Sequence, residues 1–166
     1  MEYDDLQSFR YYSRGYKRDP VAYFNHRILV GPGEFLTPHF MEVNEITHVI
    51  NCAFEEHSPT WFKNKYPTKY VCLEAEDSNE ISLLTWYPKF KEYLTKFLNE
   101  SINTNGTIYV HCQMGINRSG YLTLAYLCKE LGHTFFTTAV HAIQQRPCLF
   151  QNSSHFYEVR DFLTNK

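Results

Sequence analysis

One strand-loop-helix unit constrains this chain more than any other feature. Thr107-Ile108-Tyr109-Val110 reads as a β-branched, apolar strand; residues 111–120 form a loop with Gly115 at its centre; 121–131 reads as a helix with Gly132 as its C′ residue. A strand that passes through a short loop into a helix folds that helix back over its own sheet, which needs parallel neighbours. The chain supplies them. Ile28-Leu29-Val30, closed by Gly31-Pro32-Gly33, the β-branched Ile46-Thr47-His48-Val49-Ile50-Asn51 and Tyr70-Val71-Cys72-Leu73 read as further strands. Thr37-Pro38 predicts an N-cap and first-turn proline for a short helix to Glu45, and 53–69, with Pro59 and Pro67, reads as loop. Trp86, Phe90, Tyr93, Leu94, Phe97 and Leu98 share one face of a helix over 85–100, with Pro88 in the first turn, where its missing N–H costs least. Asn105-Gly106 marks a turn, and further helices read at 137–146 and 154–164. The expected fold class is α/β, a central, largely parallel twisted sheet flanked by helices.

With 166 residues, of which 43% are hydrophobic and 20% charged, one core suffices. Sixteen Lys and Arg against 18 Asp and Glu leave a net charge of −2, so no bulk positive field gathers nucleic acid or anionic membrane. Any phosphate must be held locally. Residues 1–20 carry charges throughout and no apolar run, which predicts no membrane attachment and an intracellular location, cytoplasmic or nuclear. Cys52, Cys72, Cys112, Cys128 and Cys148 form an odd set without a Cys-x-x-Cys pair, so neither a disulfide framework nor a zinc ribbon is expected.

The chemistry concentrates in His111-Cys112-Gln113-Met114-Gly115-Ile116-Asn117-Arg118-Ser119-Gly120. In such a loop successive N–H groups can turn inward, and the following helix adds its unpaired N-terminal donors and the positive end of its dipole. The result is an anion cradle whose contacts come from Gln113, Met114, Gly115, Ile116 and Asn117. Cys112 opens the loop, so its sulfur lies at the base, where the same field favours thiolate over thiol. Arg118 closes it with a planar fork suited to two phosphate oxygens. A lone cysteine at a strand end is ordinarily a small buried hydrophobe. That reading leaves Gly115, Arg118 and Ser119 unexplained together. A Walker-type loop would need a lysine that is absent here, and His111 and Cys112, which point apart, have no partner pair at metal-ligand spacing.

The pattern His111-Cys112, five residues, then Arg118-Ser119 resembles the signature of the cysteine-dependent protein phosphatases. Over roughly residues 26–163 the chain is similar to their dual-specificity branch, small viral and atypical members included. Ile28-Leu29-Val30-Gly31 resembles the family's opening strand and glycine, and the 46–51 stretch its second strand. Glu74-Ala75-Glu76-Asp77-Ser78 resembles its general-acid loop, and Arg146 with Asn152 and Phe156 resembles the segment that buttresses the pocket. The resemblance implies a dual-specificity phosphatase-like fold and a reaction that needs no metal or other cofactor. Cys112 attacks phosphorus, the loop amides and Arg118 hold the equatorial oxygens, and Asp77 protonates the leaving oxygen. Asp77 then acts as base while water hydrolyses the phosphocysteine. Ser119 donates to the departing sulfur, and His111 fixes the loop by bonding to backbone. Glu74, Glu76 and Glu80 rival Asp77. Arg146 and Asn152 are expected beside the substrate, Arg146 shaping the rim or drawing a second phosphate, unless it forms a helix-end salt bridge.

A chain this short, with no recognition insert, implies low pocket walls and a phosphoprotein substrate carrying phosphotyrosine or phosphoserine/phosphothreonine. Lys63-Asn64-Lys65-Tyr66 reads as surface, and the absence of lysine from the loop counts against polyphosphoinositides. Asn117 before Arg118 is similar both to viral dual-specificity enzymes and to RNA 5′-phosphatases, so 5′-phosphorylated RNA stands as an alternative substrate for a tri- or diphosphatase. A phosphate-binding adaptor without turnover is the non-catalytic alternative, though Cys112 is present. Leu6, Phe9, Tyr12 and Tyr16 recur at helical spacing with Arg10, Arg14, Lys17 and Arg18 between them. This predicts a helical arm over 1–25, packed on its own domain or on a partner such as a second copy in a homodimer, ahead of a catalytic domain at 26–166. Cys52 reads as a packed core residue, with a resolving role toward an oxidised Cys112 as the alternative.

Overall fold

The structure is a computed structural model and describes residues 1–164. Its sheet consists of β1 (Ala22–Asn25), β2 (Ile28–Pro32), β3 (Ile46–Asn51), β4 (Tyr70–Cys72) and β5 (Thr107–Cys112), in the order β1-β2-β5-β3-β4. Only β1 runs antiparallel, paired to β2 at one edge; β2, β5, β3 and β4 are parallel. Register brings their C-terminal ends to one rim, because Pro32 pairs with Cys112, Asn51 with His111, and Asn51 with Cys72. In an open parallel sheet that rim is where ligands bind.

The strand pleat sorts side chains to two cores. Ile28, Val30, Ile50, Ile108 and Val110 face one side, and α4 (Tyr87–Glu100), α5 (Arg118–Leu131), α6 (Phe135–Gln145) and α7 (Ser153–Thr164) contribute Phe90, Leu124, Ile143 and Phe156 to the same cluster. Leu29, Val49 and Tyr109 face the other side, against Leu36, Phe40 and Met41 around α2 (Pro38–Val43) and Phe62 of α3 (Thr60–Lys65). Helix boundaries follow local chemistry. Thr37 Oγ1 accepts from Phe40 N at 3.1 Å ahead of Pro38, and Gly132, at φ +74°, closes α5.

Several boundaries differ from the sequence reading. The loop expected at 53–69 holds α3, which begins directly after Pro59 and buries Phe62. The long helix starts at Tyr87, preceded by a 3-10 turn over Leu83–Trp86, and α5 starts three residues early, at Arg118. β1 lies ahead of the boundary placed at residue 26. At the N-terminus only α1 (Tyr3–Gln7) is helical, and the stripe predicted through Tyr16 does not form. Of that stripe only Leu6 is buried; Phe9 and Tyr12 are 45% and 89% exposed. Phe9 packs edge-on against Phe136, and beyond it the hold is polar. Arg10 donates to the carbonyls of Pro147, Leu149 and Phe150, while the Asp19 carboxylate accepts from Ser13 Oγ, Arg14 N and Cys148 N. An extended backbone can reach these partners and a helix cannot. No helix among the described residues is long and apolar enough to cross a membrane.

Candidate active site

Cys112 is the last residue of β5, only 2% exposed, with Sγ 3.2 Å from Ser119 Oγ in the first turn of α5. Between them the loop turns through Gly115 at φ +64°. A Cβ there would stand 2.6 Å from both Gly31 O and Pro32 N, so the turn requires glycine for its dihedral and for its clearance from β2.

The loop's polarity is sorted. Its carbonyls are taken from outside: Met114 O by Arg146 Nη2 at 2.7 Å, Gly115 O by Arg146 Nε at 2.9 Å, and Ile116 O by Phe150 N at 2.9 Å. No acceptor among the described residues takes the N–H groups of 113–120. Such a row of free N–H groups, continued by the N-terminus of α5, is an anion nest. Arg118 is buried apart from 8% of its surface and donates through Nη1 to Ala75 O at 3.0 Å, leaving the rest of its guanidinium to the cleft wall. The cleft encloses about 80 Å³ and is lined by Asp77, Cys112, Gln113, Met114, Ile116, Asn117 and Arg118. Larger depressions of about 520 and 480 Å³ hold neither Cys112 nor Arg118, the first of them bordering the cleft at Gln113.

Of the four acidic candidates, only Asp77 lines this cleft. Its Oδ1 lies 3.3 Å from His155 Nε2, and its Oδ2 accepts from Asn117 Nδ2 at 3.3 Å. The hydrogen bond from His155, then that from Asn117 and the Arg118 charge, hold its carboxyl below the usual carboxylate range against the opposing effect of burial. His111 is fully buried, and burial lowers its imidazole to about 4, so the ring is neutral; Nδ1 then donates to Cys112 O at 3.2 Å. Cys52 is fully buried, and its thiol is pushed well above the usual range by burial first and by Cys112 next. Its surroundings are those of a core residue.

Two residues expected beside the substrate stand elsewhere. Arg146 is completely buried beneath the loop and reaches neither rim nor carboxylate. Besides Met114 and Gly115 it donates to the carbonyls of Tyr16, Asp19 and Pro20, riveting the N-terminal segment to the underside of the cradle. The burial explains the departure: a guanidinium enclosed by five carbonyls has its donors occupied. Asn152 does not line the cleft. Its Oδ1 accepts from His155 N at the start of α7, its own N–H goes to Asn117 Oδ1, and Nδ2 donates to Asn79. Asn117 is thereby a brace, tying the acid to the 151–152 backbone. Sequence reading missed His155 and Glu158; their spacing of three on one helix face was the only signal.

Arg146→Ala should strand five carbonyls, those of Gly115 and Asp19 in buried bonds and those of Met114, Tyr16 and Pro20 in part-buried ones. At about 1 kcal/mol or more for each unpaired group the loss should reach at least about 3 kcal/mol, read as a fall in ΔG from urea denaturation. A loss below about 1 kcal/mol would mean that water replaces the guanidinium without penalty.

The chain matches the family described as "Dual specificity phosphatase, catalytic domain" over residues 29–165. It is 30% identical over 120 residues to a probable rhodanese domain-containing dual specificity protein phosphatase of Dictyostelium discoideum, covering 71% of this chain and 23% of that protein. It is 22% identical over 142 residues to the serine/threonine/tyrosine-interacting protein of Mus musculus, covering 79% of this chain and 61% of that protein. The chain thus spans under two thirds of either relative. Among solved structures it resembles a mouse putative dual specificity phosphatase complexed with zinc tungstate, at TM-score 0.70 and 18% identity, covering 87% of this chain and 86% of that one.

Proposed function

The chain belongs to the dual specificity phosphatase family, and from that premise we propose that it hydrolyses phosphotyrosine and phosphoserine or phosphothreonine in proteins through a phosphocysteine. The observation that carries the reading is the convergence of unpaired loop N–H groups, Arg118 and the Cys112 sulfur on one phosphate-sized cleft. Cys112 forms the Sγ–P bond as the P–O bond to the substrate breaks, and Asp77 gives its proton to the leaving oxygen. Charge on the equatorial oxygens is met by groups already in place, so little reorganisation is needed in the transition state. Water then attacks phosphorus, Asp77 takes its proton, and Ser119 Oγ, 3.2 Å away, donates to the departing sulfur.

The lining of the cleft offers a polyanion a single basic residue, Arg118. The loop offers no cation beyond Arg118, Glu74 and Glu76 flank the acid, and Arg10 is engaged by backbone carbonyls. Protein substrates are therefore the favoured class. The arm uses Leu6, Tyr3 and Arg10 on its own domain, which favours a monomer at that surface. Turnover of a phosphotyrosine peptide, a phosphothreonine peptide and 5′-triphosphorylated RNA, measured side by side, tests the assignment. Both peptides should be hydrolysed and the RNA poorly; faster hydrolysis of the RNA than of either peptide would replace this reading with the RNA one.

Asp77→Asn should lower kcat on the phosphothreonine peptide by about 10²- to 10⁴-fold and remove the basic limb of the pH–rate profile. Persistence of that limb would move the acid's role to another residue.

A further inference from the structure

His155 is fully buried in the first turn of α7, and both of its ring nitrogens face carboxylates. Nε2 lies 3.3 Å from Asp77 Oδ1 and Nδ1 lies 3.3 Å from Glu158 Oε1. Glu158 is itself fixed, since its Oε2 accepts from Ser82 Oγ at 2.6 Å and from Leu83 N at 3.1 Å. From α5 the Tyr121 ring packs edge-on against the imidazole, 5.9 Å between centroids, and Arg118 faces Asp77 from the same helix. From α1, Tyr3 sends its hydroxyl to Phe150 O instead. The Asn152 cap on the His155 N–H, at 3.1 Å, sets where the ring stands.

A neutral imidazole donates from one nitrogen and accepts at the other. Here each ring nitrogen has a carboxylate oxygen at 3.3 Å, so the ring bridges Asp77 to Glu158 and a donor on Nε2 lies within one hydrogen bond of the residue read as the general acid. The phosphoryl transfer described above uses Asp77 but gives no part to His155 or Glu158.

We infer that His155 is the positioning residue of the acid: clamped by Glu158, it aims the Asp77 carboxyl at the cleft and holds the carboxylate that forms as the proton leaves for the substrate oxygen. The inference rests on the reading of Asp77 as the acid. As the P–O bond breaks, the proton passes from Asp77 to the leaving oxygen, and the carboxylate left behind is held by His155 Nε2–H. When water attacks the phosphocysteine its proton returns to Asp77, so the cluster ends each cycle with the protons it began with. The contribution scales with the leaving group's need. A 4-nitrophenolate leaves without protonation, whereas the alkoxide of threonine does not.

The test uses His155→Phe, His155→Gln, Glu158→Gln and Asp77→Asn in the full chain, with kcat and KM measured across pH on 4-nitrophenyl phosphate and on a phosphothreonine peptide. His155→Phe should reduce kcat on the peptide about 10-fold or more beyond its effect on the aryl phosphate, with KM little changed. Because the His155 hydrogen bond holds the Asp77 carboxyl low, its loss should also move the basic limb to higher pH. His155→Gln keeps an N–H donor toward Asp77 and should recover part of the peptide rate. Glu158→Gln should give an intermediate loss, and it carries the test if the phenylalanine variant does not fold. Equal loss on both substrates with an unmoved limb overturns the inference. If Asp77→Asn itself treats the two substrates as wild type does, the acid assignment falls. If Asp77→Asn separates them while the His155 and Glu158 variants do not, only the positioning role falls.

Discussion

Cys112→Ser should leave a protein that binds phosphopeptide within a few-fold of wild type and turns over none of it. The cradle that holds the phosphate is backbone N–H and Arg118, and the substitution touches neither. What is lost is the thiolate. A serine hydroxyl in the same place stays protonated at neutral pH, and among the described residues no base is hydrogen-bonded to residue 112: its side-chain partner is the Ser119 hydroxyl, and the His111 ring nitrogen donates to backbone. Removing a nucleophile outright costs on the order of 10⁶-fold in kcat in a well-studied hydrolase, and a loss of that order is expected here. Phosphate release by the purified variant, alongside calorimetric binding of the same phosphopeptide, separates the two effects. Retained turnover would remove the covalent route, and lost binding would mean that the cradle depends on the sulfur.

Arg118→Lys should be nearly as damaging although it keeps the charge. The guanidinium divides its donors between Ala75 O, 3.0 Å away, and the cleft. A lysine ammonium is a single point of donation on a flexible stem, unable to present a planar fork to two equatorial oxygens. Arginines that stabilise phosphoryl-transfer transition states are worth about 10³- to 10⁵-fold in kcat, and the lysine variant should lose most of that. The contact with Ala75 O also binds the acid loop to α5, so the pH profile should flatten as Asp77 loses its fixed position. Steady-state kcat/KM over pH on a phosphotyrosine peptide checks both. A loss below about 10-fold would assign the charge alone, and not the fork, to this position.

The parallel strands were legible because β-branched runs such as 46–51 have few alternatives to a buried strand, and the cradle because Cys112, Gly115, Arg118 and Ser119 make sense only together. β1 escaped notice since four residues alternating buried and half-buried, Ala22-Tyr23-Phe24-Asn25, carry too little pattern, and its edge pairing is decided by β2. α3 was hidden by prolines on both sides. The arm failed as a helix because its periodicity was apolar whereas its anchors, Arg10 and Asp19, are polar and find partners some 130 residues away. The same distance hid the role of Arg146: its acceptors are backbone carbonyls at 16, 19, 20, 114 and 115, and backbone acceptors leave no trace in residue identity. His155 and Glu158 show three-residue spacing, but their partner Asp77 is 78 residues from His155, so only the folded chain assembles the cluster.

The central claim is a covalent phosphocysteine, and trapping it is the most direct test. Wild-type protein mixed with a phosphotyrosine peptide and quenched in acid within the first turnovers, then digested and read by mass spectrometry, should carry one phosphoryl group on the Cys112 peptide. The modification should be absent from Cys112→Ser, and Asp77→Asn should accumulate it on an aryl phosphate, because water then lacks its base. Phosphate released at full rate with no phosphoryl group ever found on Cys112, or found on another residue, would contradict the account.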